Sequence, residues 1–237
     1  MKLLLTSVGP SNDSLRRALL RLLGRPFAEC SAVHIPTAAY GLEGGGLRFA
    51  AALGSYWAGF DWKSIGQLEL TALPNLPVEL WLPELQAADV ILVGGGNTGY
   101  LSYWFRESGL ADVLPGLLHH TVYVGASAGS VIMTPELQVD RERLSSTGVF
   151  YDEDSDEAAT PGLVADFTLG LVDFLIRPHL SPTDYGDLGP ESVARVAASI
   201  NWPLYAIDDN SGVLVDGDQI EVISEGTWQR FPPHENW

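Results

Sequence analysis

One serine in this 237-residue chain has the surroundings of a nucleophile. Ser127 is the centre of Gly125-Ala126-Ser127-Ala128-Gly129, which follows an apolar strand-like run (121–124) and precedes a helix-compatible run (130–133). Between a strand and a helix, G-x-S-x-G is typical of a tight turn that exposes a serine hydroxyl at the edge of a sheet. Glycines flank the serine because a Cβ there would meet neighbouring backbone. We therefore predict that Ser127 attacks carbonyl carbons in an acyl-transfer reaction.

A serine nucleophile needs a base, and the chain contains five histidines: His34, His119, His120, His179 and His234. His179 follows Pro178 at the carboxyl end of a predicted strand (169–176), which is the same edge of the sheet as Ser127. His34 lies inside a predicted strand, and 119–120 end a predicted helix, where an imidazole suits the helix dipole. We predict that His179 is the general base.

A carboxylate is expected to orient that histidine. Between Ser127 and His179, the choices are Glu136, Asp140, Glu142 and an acidic run, and Asp140 and Glu142 lie in a polar segment that could fold back beside the serine. The residue types alone do not separate the two. The acidic run over 152–157 is predicted to be a solvent-facing loop.

A triple glycine, Gly94-Gly95-Gly96, ends a strongly apolar strand over 89–93. Because glycine lets the backbone approach a ligand closely, we predict that the Gly95 or Gly96 amide joins the Ala128 amide in an oxyanion hole. Asn97 and Thr98 follow and are predicted to contact the substrate. The alternative of a phosphate-binding loop is disfavoured, since neither Gly-Lys-Ser/Thr nor G-x-G-x-x-G is present.

Strand and helix signals alternate through the first half of the chain. The predicted strands cover 2–7, 31–39, 64–70, 89–93 and 121–124, and the predicted helices 13–23, 47–59, 78–88, 99–107 and 110–119. This alternation indicates a parallel sheet with helices on both faces. Short runs at 204–207, 212–215 and 219–223 predict a small antiparallel meander near the C-terminus. Residues 1–237 are expected to form a single α/β domain.

The composition narrows the function classes. A net charge of −17 argues against nucleic acid or an anionic membrane as a partner. The only cysteine is Cys30, so neither an intrachain disulfide nor a thiolate metal cage is expected. We found no apolar run of about 18 residues and no signal-like start, and we expect a cytoplasmic location.

The two glycine motifs occur in a specific order. The stretch Ile91-Leu92-Val93-Gly94-Gly95-Gly96-Asn97-Thr98, then Gly125–Gly129, then Pro178-His179, resembles the peptidase E and cyanophycinase family of serine peptidases. Supporting stretches are Ile35-Pro36-Thr37-Ala38, Glu107-Ser108-Gly109-Leu110 and Ala206-Ile207-Asp208-Asp209. The resemblance covers nearly the whole chain.

This resemblance implies a flavodoxin-like three-layer α/β/α fold, as in class I glutamine amidotransferases. It implies Ser127 as nucleophile on an elbow, His179 as base and an acid shortly after the serine, matched without gaps by Glu142. It implies no metal and no cofactor. Peptidase E removes an N-terminal aspartate by means of an arginine, but here Ser192 stands at that position and Arg195 one turn later.

We therefore expect a serine exopeptidase for short peptides that is not strictly specific for aspartate. An esterase-type serine hydrolase and a non-catalytic relative that binds a small ligand are the alternatives. Aromatic residues of the C-terminal segment, Trp228, Phe231 and Trp237, are expected to cover a core edge or the contact of a homodimer.

Overall fold

The computed structural model describes residues 1–42, 44–136, 149–151, 158–161, 168–180, 193–194, 197–198 and 200–233. In chain order, its strands are β1 (Lys2–Thr6), β2 (Ser31–Ile35), β3 (Ser64–Gln67), β4 (Val90–Val93), β5 (Val122–Ala126), β6 (Val149–Tyr151), β7 (Ala158–Pro161), β8 (Leu175–Arg177), β9 (Leu204–Ile207), β10 (Ser211–Asp216), β11 (Gln219–Ser224) and β12 (Trp228–Phe231). Its helices are α1 (Asp13–Leu23), α2 (Thr37–Tyr40), α3 (Gly46–Ala58), α4 (Leu82–Ala87), α5 (Thr98–Glu107), α6 (Leu110–Leu117) and α7 (Ala128–Val131). Short 3-10 turns cover Phe27–Glu29, Leu70–Asn75 and Val78–Leu80.

Within the described residues, a seven-stranded sheet forms the centre of the molecule, with the order β11-β10-β1-β5-β4-β2-β3. Strands β1, β5, β4, β2 and β3 run parallel to one another. At the other side of β1, β10 pairs antiparallel with β1 and β11 pairs antiparallel with β10. The parallel strands β4 and β5 are buried along their whole length, as strands covered on both faces must be. The predicted α/β class with a mainly parallel sheet is confirmed.

Two apolar layers enclose this sheet. Leu3 and Leu5 of β1 pack in the layer that contains residues of α4, α5 and α6, whereas Leu4 packs with residues of α1 and α3 on the other face. Alternate side chains of a strand point to opposite faces, so one apolar strand supplies both layers. The result is the predicted three-layer arrangement. No helix of the described residues has the length and apolar character needed to cross a bilayer.

A smaller sheet lies beside the large one, with the order β12-β9-β8 among the described residues. β8 runs parallel to β9, and β12 pairs antiparallel with β9. The predicted C-terminal meander is thus divided, because β9 belongs to the smaller sheet whereas the β10–β11 hairpin extends the larger one. Phe231 packs at the edge of the small-sheet core, and Trp228 is 44% exposed. A homodimer contact at these aromatics stays a prediction.

The carboxyl end of β1 is bonded to the first turn of α7. Ser127 donates its N–H to the Thr6 carbonyl oxygen at 3.0 Å, and the Ser130 hydroxyl donates to the same oxygen at 2.7 Å. The Thr6 N–H in turn donates to the Ser130 hydroxyl at 2.9 Å. Thr6 and Ser130 are fully buried, so water does not compete for these bonds. They fix where the turn between β5 and α7 lies on the sheet.

We expect Ser130→Ala to lower the free energy of unfolding by about 1–3 kcal/mol, because it leaves the buried Thr6 N–H without its hydroxyl acceptor. The control is Ser55→Ala, an exposed serine in α3, which should change stability by less than about 0.5 kcal/mol. Urea unfolding followed by circular dichroism measures both. Equal midpoints for the two variants would contradict the anchoring function of Ser130.

Candidate active site

Ser127 occupies a strained turn between β5 and α7. Its backbone has φ 49° and ψ −112°, a conformation that residues with a Cβ rarely adopt. A Cβ at Gly129 would lie 2.3 Å from the Val93 carbonyl oxygen, and one at Gly125 would lie 2.5 Å from the Gly129 carbonyl oxygen. The turn therefore requires both glycines, as the sequence pattern predicts, and it is the expected nucleophile elbow.

His179 lies next to this serine. It comes two residues after β8, and its Nε2 is 2.9 Å from the Ser127 Oγ. Its backbone also has a positive φ, 60°, so the histidine too is held in an uncommon conformation. The side chain is mostly buried, with 17% of its surface exposed. The predicted pairing of Ser127 with His179 is thus present as a contact.

Asp209 contacts the other nitrogen of the imidazole. The distance from His179 Nδ1 to Asp209 Oδ1 is 2.8 Å. The bond to His179 is the main cause that holds the pKa of the Asp209 carboxyl below its ordinary value; partial burial opposes it, and the Ser7 hydroxyl adds to the lowering. A carboxylate at Nδ1 favours the tautomer in which Nδ1 carries the proton and Nε2 accepts the serine proton.

The neighbouring carboxylate, Asp208, holds the turn that presents Asp209. It accepts bonds from the Asn210 N–H at 3.0 Å, the Ser211 hydroxyl at 2.6 Å and the Thr227 N–H at 2.5 Å. Three donors to one side chain fix the turn between β9 and β10 against the segment before β12. Asp208 is therefore engaged in local structure, whereas Asp209 is free to face the histidine.

Ser7 is a fourth side chain at this position. It follows β1 directly, is fully buried, and its hydroxyl donates to Asp209 Oδ1 at 2.5 Å. The same hydroxyl accepts the main-chain N–H of His179 at 2.9 Å and lies 3.1 Å from its Nδ1. Sequence reasoning missed this residue. The available signal was a polar residue directly after a buried strand, at the sheet edge that carries Ser127.

The two acids predicted from the sequence, Asp140 and Glu142, lie outside the described residues. Sequence reasoning considered only carboxylates between the serine and the histidine, and Asp209 comes after both. Asp208-Asp209 entered only as a stretch that supports the family resemblance. The signal that identifies Asp209 is its position two residues past β9, the strand that runs parallel to β8.

The remaining histidines of the described chain stand apart from this contact. His34 is 1% exposed in β2, and burial lowers its pKa to about 4. Both residues of 119–120 follow α6 at the surface. These positions agree with the predictions that His34 lies inside a strand and that 119–120 end a helix.

The glycine loop after β4 faces the serine. A Cβ at Gly95 would lie 3.1 Å from the Ser127 Cβ and 3.8 Å from its Oγ, so Gly95 borders the nucleophile directly. Gly96 has φ 138° and packs on the Ala38 backbone, where a Cβ would lie 2.3 Å from the carbonyl oxygen. Within the described chain, the amides of Gly95, Gly96 and Ala128 have no hydrogen-bond acceptor. These are the donors that the sequence predicts for an oxyanion.

Asn97 and Thr98 begin α5 beside this loop. The Asn97 Oδ1 accepts the Tyr100 N–H at 2.8 Å and caps the helix, and its main-chain N–H donates to the Ala38 carbonyl oxygen at 2.9 Å. The side chain is 5% exposed, and its Nδ2 has no partner among the described residues. Thr98 is half-buried at the first position of the helix.

Comparison with known proteins identifies the family of this chain. A model of Peptidase family S51 matches residues 3–223. A protein named Peptidase E from Streptomyces coelicolor is 30% identical over 150 residues, which is 61% of this chain and 56% of that protein. An uncharacterized peptidase of Listeria monocytogenes is 27% identical over 139 residues, 58% of this chain and 61% of the relative. The matched regions thus span less than two thirds of either relative.

Solved structures share the fold. The crystal structure of a peptidase E-type protein from Listeria monocytogenes superposes with a TM-score of 0.64 and 21% identity, over 95% of this chain and 98% of that one. A peptidase from an acI-B1 Actinobacterium gives a TM-score of 0.57 and 16% identity, over 99% of this chain and 95% of that one. At these identities, the likeness concerns the α/β architecture.

Proposed function

This chain belongs to peptidase family S51, and we propose that it is an exopeptidase that cleaves short peptides with Ser127, His179 and Asp209. Membership in this family supports a serine-type peptidase. The observation that carries the proposal is the line of contacts from Ser127 Oγ to His179 Nε2 at 2.9 Å and from Nδ1 to Asp209 at 2.8 Å. Nucleophile, base and orienting acid within hydrogen-bond reach are the requirements for acylation of a serine.

In the first step, His179 takes the Ser127 proton through Nε2 as the serine oxygen attacks the scissile carbonyl carbon. Asp209 accepts the hydrogen bond of Nδ1–H and stabilises the imidazolium that forms. The amides of Gly95 or Gly96 and of Ala128 bind the negative oxygen, since they are the donors beside the nucleophile without an acceptor in the described chain.

In the second step, His179 returns the proton to the leaving amine, the peptide C–N bond breaks, and an acyl-enzyme remains. Water then attacks the ester carbon while His179 again removes a proton, and the carboxylic acid product leaves as Ser127 recovers its hydroxyl. Gly95 lies directly against Ser127, so a side chain at this position would crowd the acyl group.

Release of an N-terminal residue is supported by the resemblance to peptidase E and by the relative of that name. We propose that Asn97 and Thr98, which follow the glycine loop at the start of α5, contact the substrate next to the oxyanion donors. Ser192 and Arg195, on which a broader specificity than aspartate is predicted, lie outside the described residues. A cytoplasmic location stays a prediction.

We expect Ser127→Ala to lower kcat by at least about 1,000-fold toward a short peptide, because no other nucleophile replaces its oxygen. Product formation by mass spectrometry measures turnover, and circular dichroism verifies the fold. Ser55→Ala, with its exposed hydroxyl, is the control and should retain wild-type activity. Wild-type turnover in Ser127→Ala would overturn the proposal.

A set of amide variants tests the identity of the acid. We expect Asp209→Asn to reduce kcat by about 100- to 10,000-fold, since the amide no longer stabilises the imidazolium and favours the wrong tautomer. Asp140→Asn and Glu142→Gln are the matched variants of the two acids predicted from the sequence and should stay within about threefold. The reverse ranking would reassign the acid to one of those two residues.

Blocking the N-terminus tests the exopeptidase assignment. A tripeptide with a free amine should be cleaved with a kcat/KM at least about 100-fold above that of its N-acetyl derivative, because a site made for an ammonium group rejects a neutral acetamide. The same tripeptide with an amidated C-terminus controls for charge and length. Equal cleavage of the free and acetylated forms would overturn the proposed release of an N-terminal residue.

A further inference from the structure

We propose that Ser7 is a positioning residue of this site, which holds the Asp209 carboxylate and the His179 backbone in line with Ser127. The inference rests on the proposed function, since it assigns a task within that reaction. The sequence analysis did not single out this residue as part of the site. Ser7 does not contact the position of the scissile bond; it acts through its two neighbours.

The hydrogen-bond inventory of the hydroxyl supports this task. A serine hydroxyl has one proton to donate and two lone pairs. Its proton goes to Asp209 Oδ1 at 2.5 Å, and a lone pair receives the His179 N–H at 2.9 Å. The directions of both bonds are fixed by chemistry, because an ionised carboxylate only accepts and an amide N–H only donates.

The buried position of Ser7 allows its hydroxyl to hold a carboxylate that is itself half-exposed. Ser7 is fully buried, whereas the Asp209 side chain is 48% exposed. A half-exposed carboxylate has solvent-facing rotamers available, and the hydroxyl provides a fixed donor on the protein side. The shared contact places Oδ1 where it meets both Ser7 and His179 Nδ1, which lie 3.1 Å apart.

The backbone of His179 needs the same support. Its φ of 60° is unfavourable for a residue with a Cβ and persists only where the surroundings hold it. The Ser7 hydroxyl binds the His179 N–H, the group adjacent to that torsion. One buried oxygen therefore restrains both the base and the acid from the end of β1.

The chain contains a matched control. Ser11 lies in the same connection after β1, and its hydroxyl also contacts Asp209, but at the main-chain oxygen, 2.8 Å away. Ser11 is exposed. Ser7→Ala therefore removes a bond to the Asp209 carboxylate, whereas Ser11→Ala removes a bond to the Asp209 main-chain oxygen.

The experiment compares Ser7→Ala and Ser11→Ala in the wild-type and Asp209→Ala backgrounds, with kcat and KM measured for a short peptide. We expect Ser7→Ala to lower kcat by about 10- to 100-fold with KM within about twofold, the cost of a misplaced catalytic group. In the Asp209→Ala background the same change should cost less than about threefold, because its partner is already absent. Ser11→Ala should be neutral in both backgrounds.

A second measurement needs no turnover. In protein labelled with ¹³C at aspartate carboxyl carbons, Asp209→Asn identifies the Asp209 signal, and its titration gives the pKa. Ser7→Ala should raise this pKa because a donor to the carboxylate is lost, whereas Ser11→Ala should leave it at the wild-type value. Should Ser7→Ala fail to fold, Ser7→Cys, of similar size but with a weak donor, replaces it in both measurements.

The outcomes separate this inference from the proposed function. An equal loss of kcat in the two backgrounds, or an Asp209 pKa that Ser7→Ala does not move, would overturn the positioning task while the peptidase proposal stands. A wild-type protein that cleaves no peptide would overturn the proposed function, and the carboxyl titration would still decide whether Ser7 holds Asp209.

Discussion

The carboxyl end of β1 is the point on which the site depends. The Thr6 carbonyl oxygen accepts the Ser127 N–H and the Ser130 hydroxyl, which places the nucleophile turn. The next residue, Ser7, binds His179 and Asp209. Thr6 therefore holds the turn after β5, and the next residue, Ser7, connects the large sheet with the loops that follow the strands of the small one. Because Thr6, Ser7 and Ser130 are buried, water cannot take the place of their partners, and a missing partner would leave a costly unpaired group.

Much of this anchoring compensates for strain in the backbone. Ser127 and His179 both have a positive φ, a conformation that costs a non-glycine residue about 1–3 kcal/mol. Such a cost is retained only where surrounding contacts compensate for it. Around Ser127, the compensation is the bond to Thr6 and the close packing that Gly125 and Gly129 permit. With the backbone held in these torsions, Ser127 Oγ and His179 Nε2 lie 2.9 Å apart.

Local sequence signals were sufficient for the elbow, the parallel sheet and the pairing of Ser127 with His179. Each of these follows from a short pattern: a glycine-flanked serine after a strand, or a histidine where a strand ends. Asp209 and Ser7 were not identified, because their proximity to His179 is a matter of which strands become neighbours. β8 and β9 pair parallel although the strands are far apart in the sequence, and β1 lies between β10 and β5. No local pattern contains that information.

The division of the C-terminal strands between two sheets brings Asp209, the proposed acid, next to His179 although it lies later in the chain. Ser127 ends a strand of the large sheet, whereas His179 and Asp209 each follow by two residues a strand of the small one. Parallel neighbouring strands end at the same edge of a sheet, so His179 after β8 and Asp209 after β9 lie next to each other. The Leu180 N–H donates to the Ile207 carbonyl oxygen at 2.9 Å and continues the strand pairing beyond β8. The catalytic geometry thus depends on how the small sheet docks on the large one. Ser7, at the end of β1, is the buried side chain that bonds to both residues supplied by the small sheet.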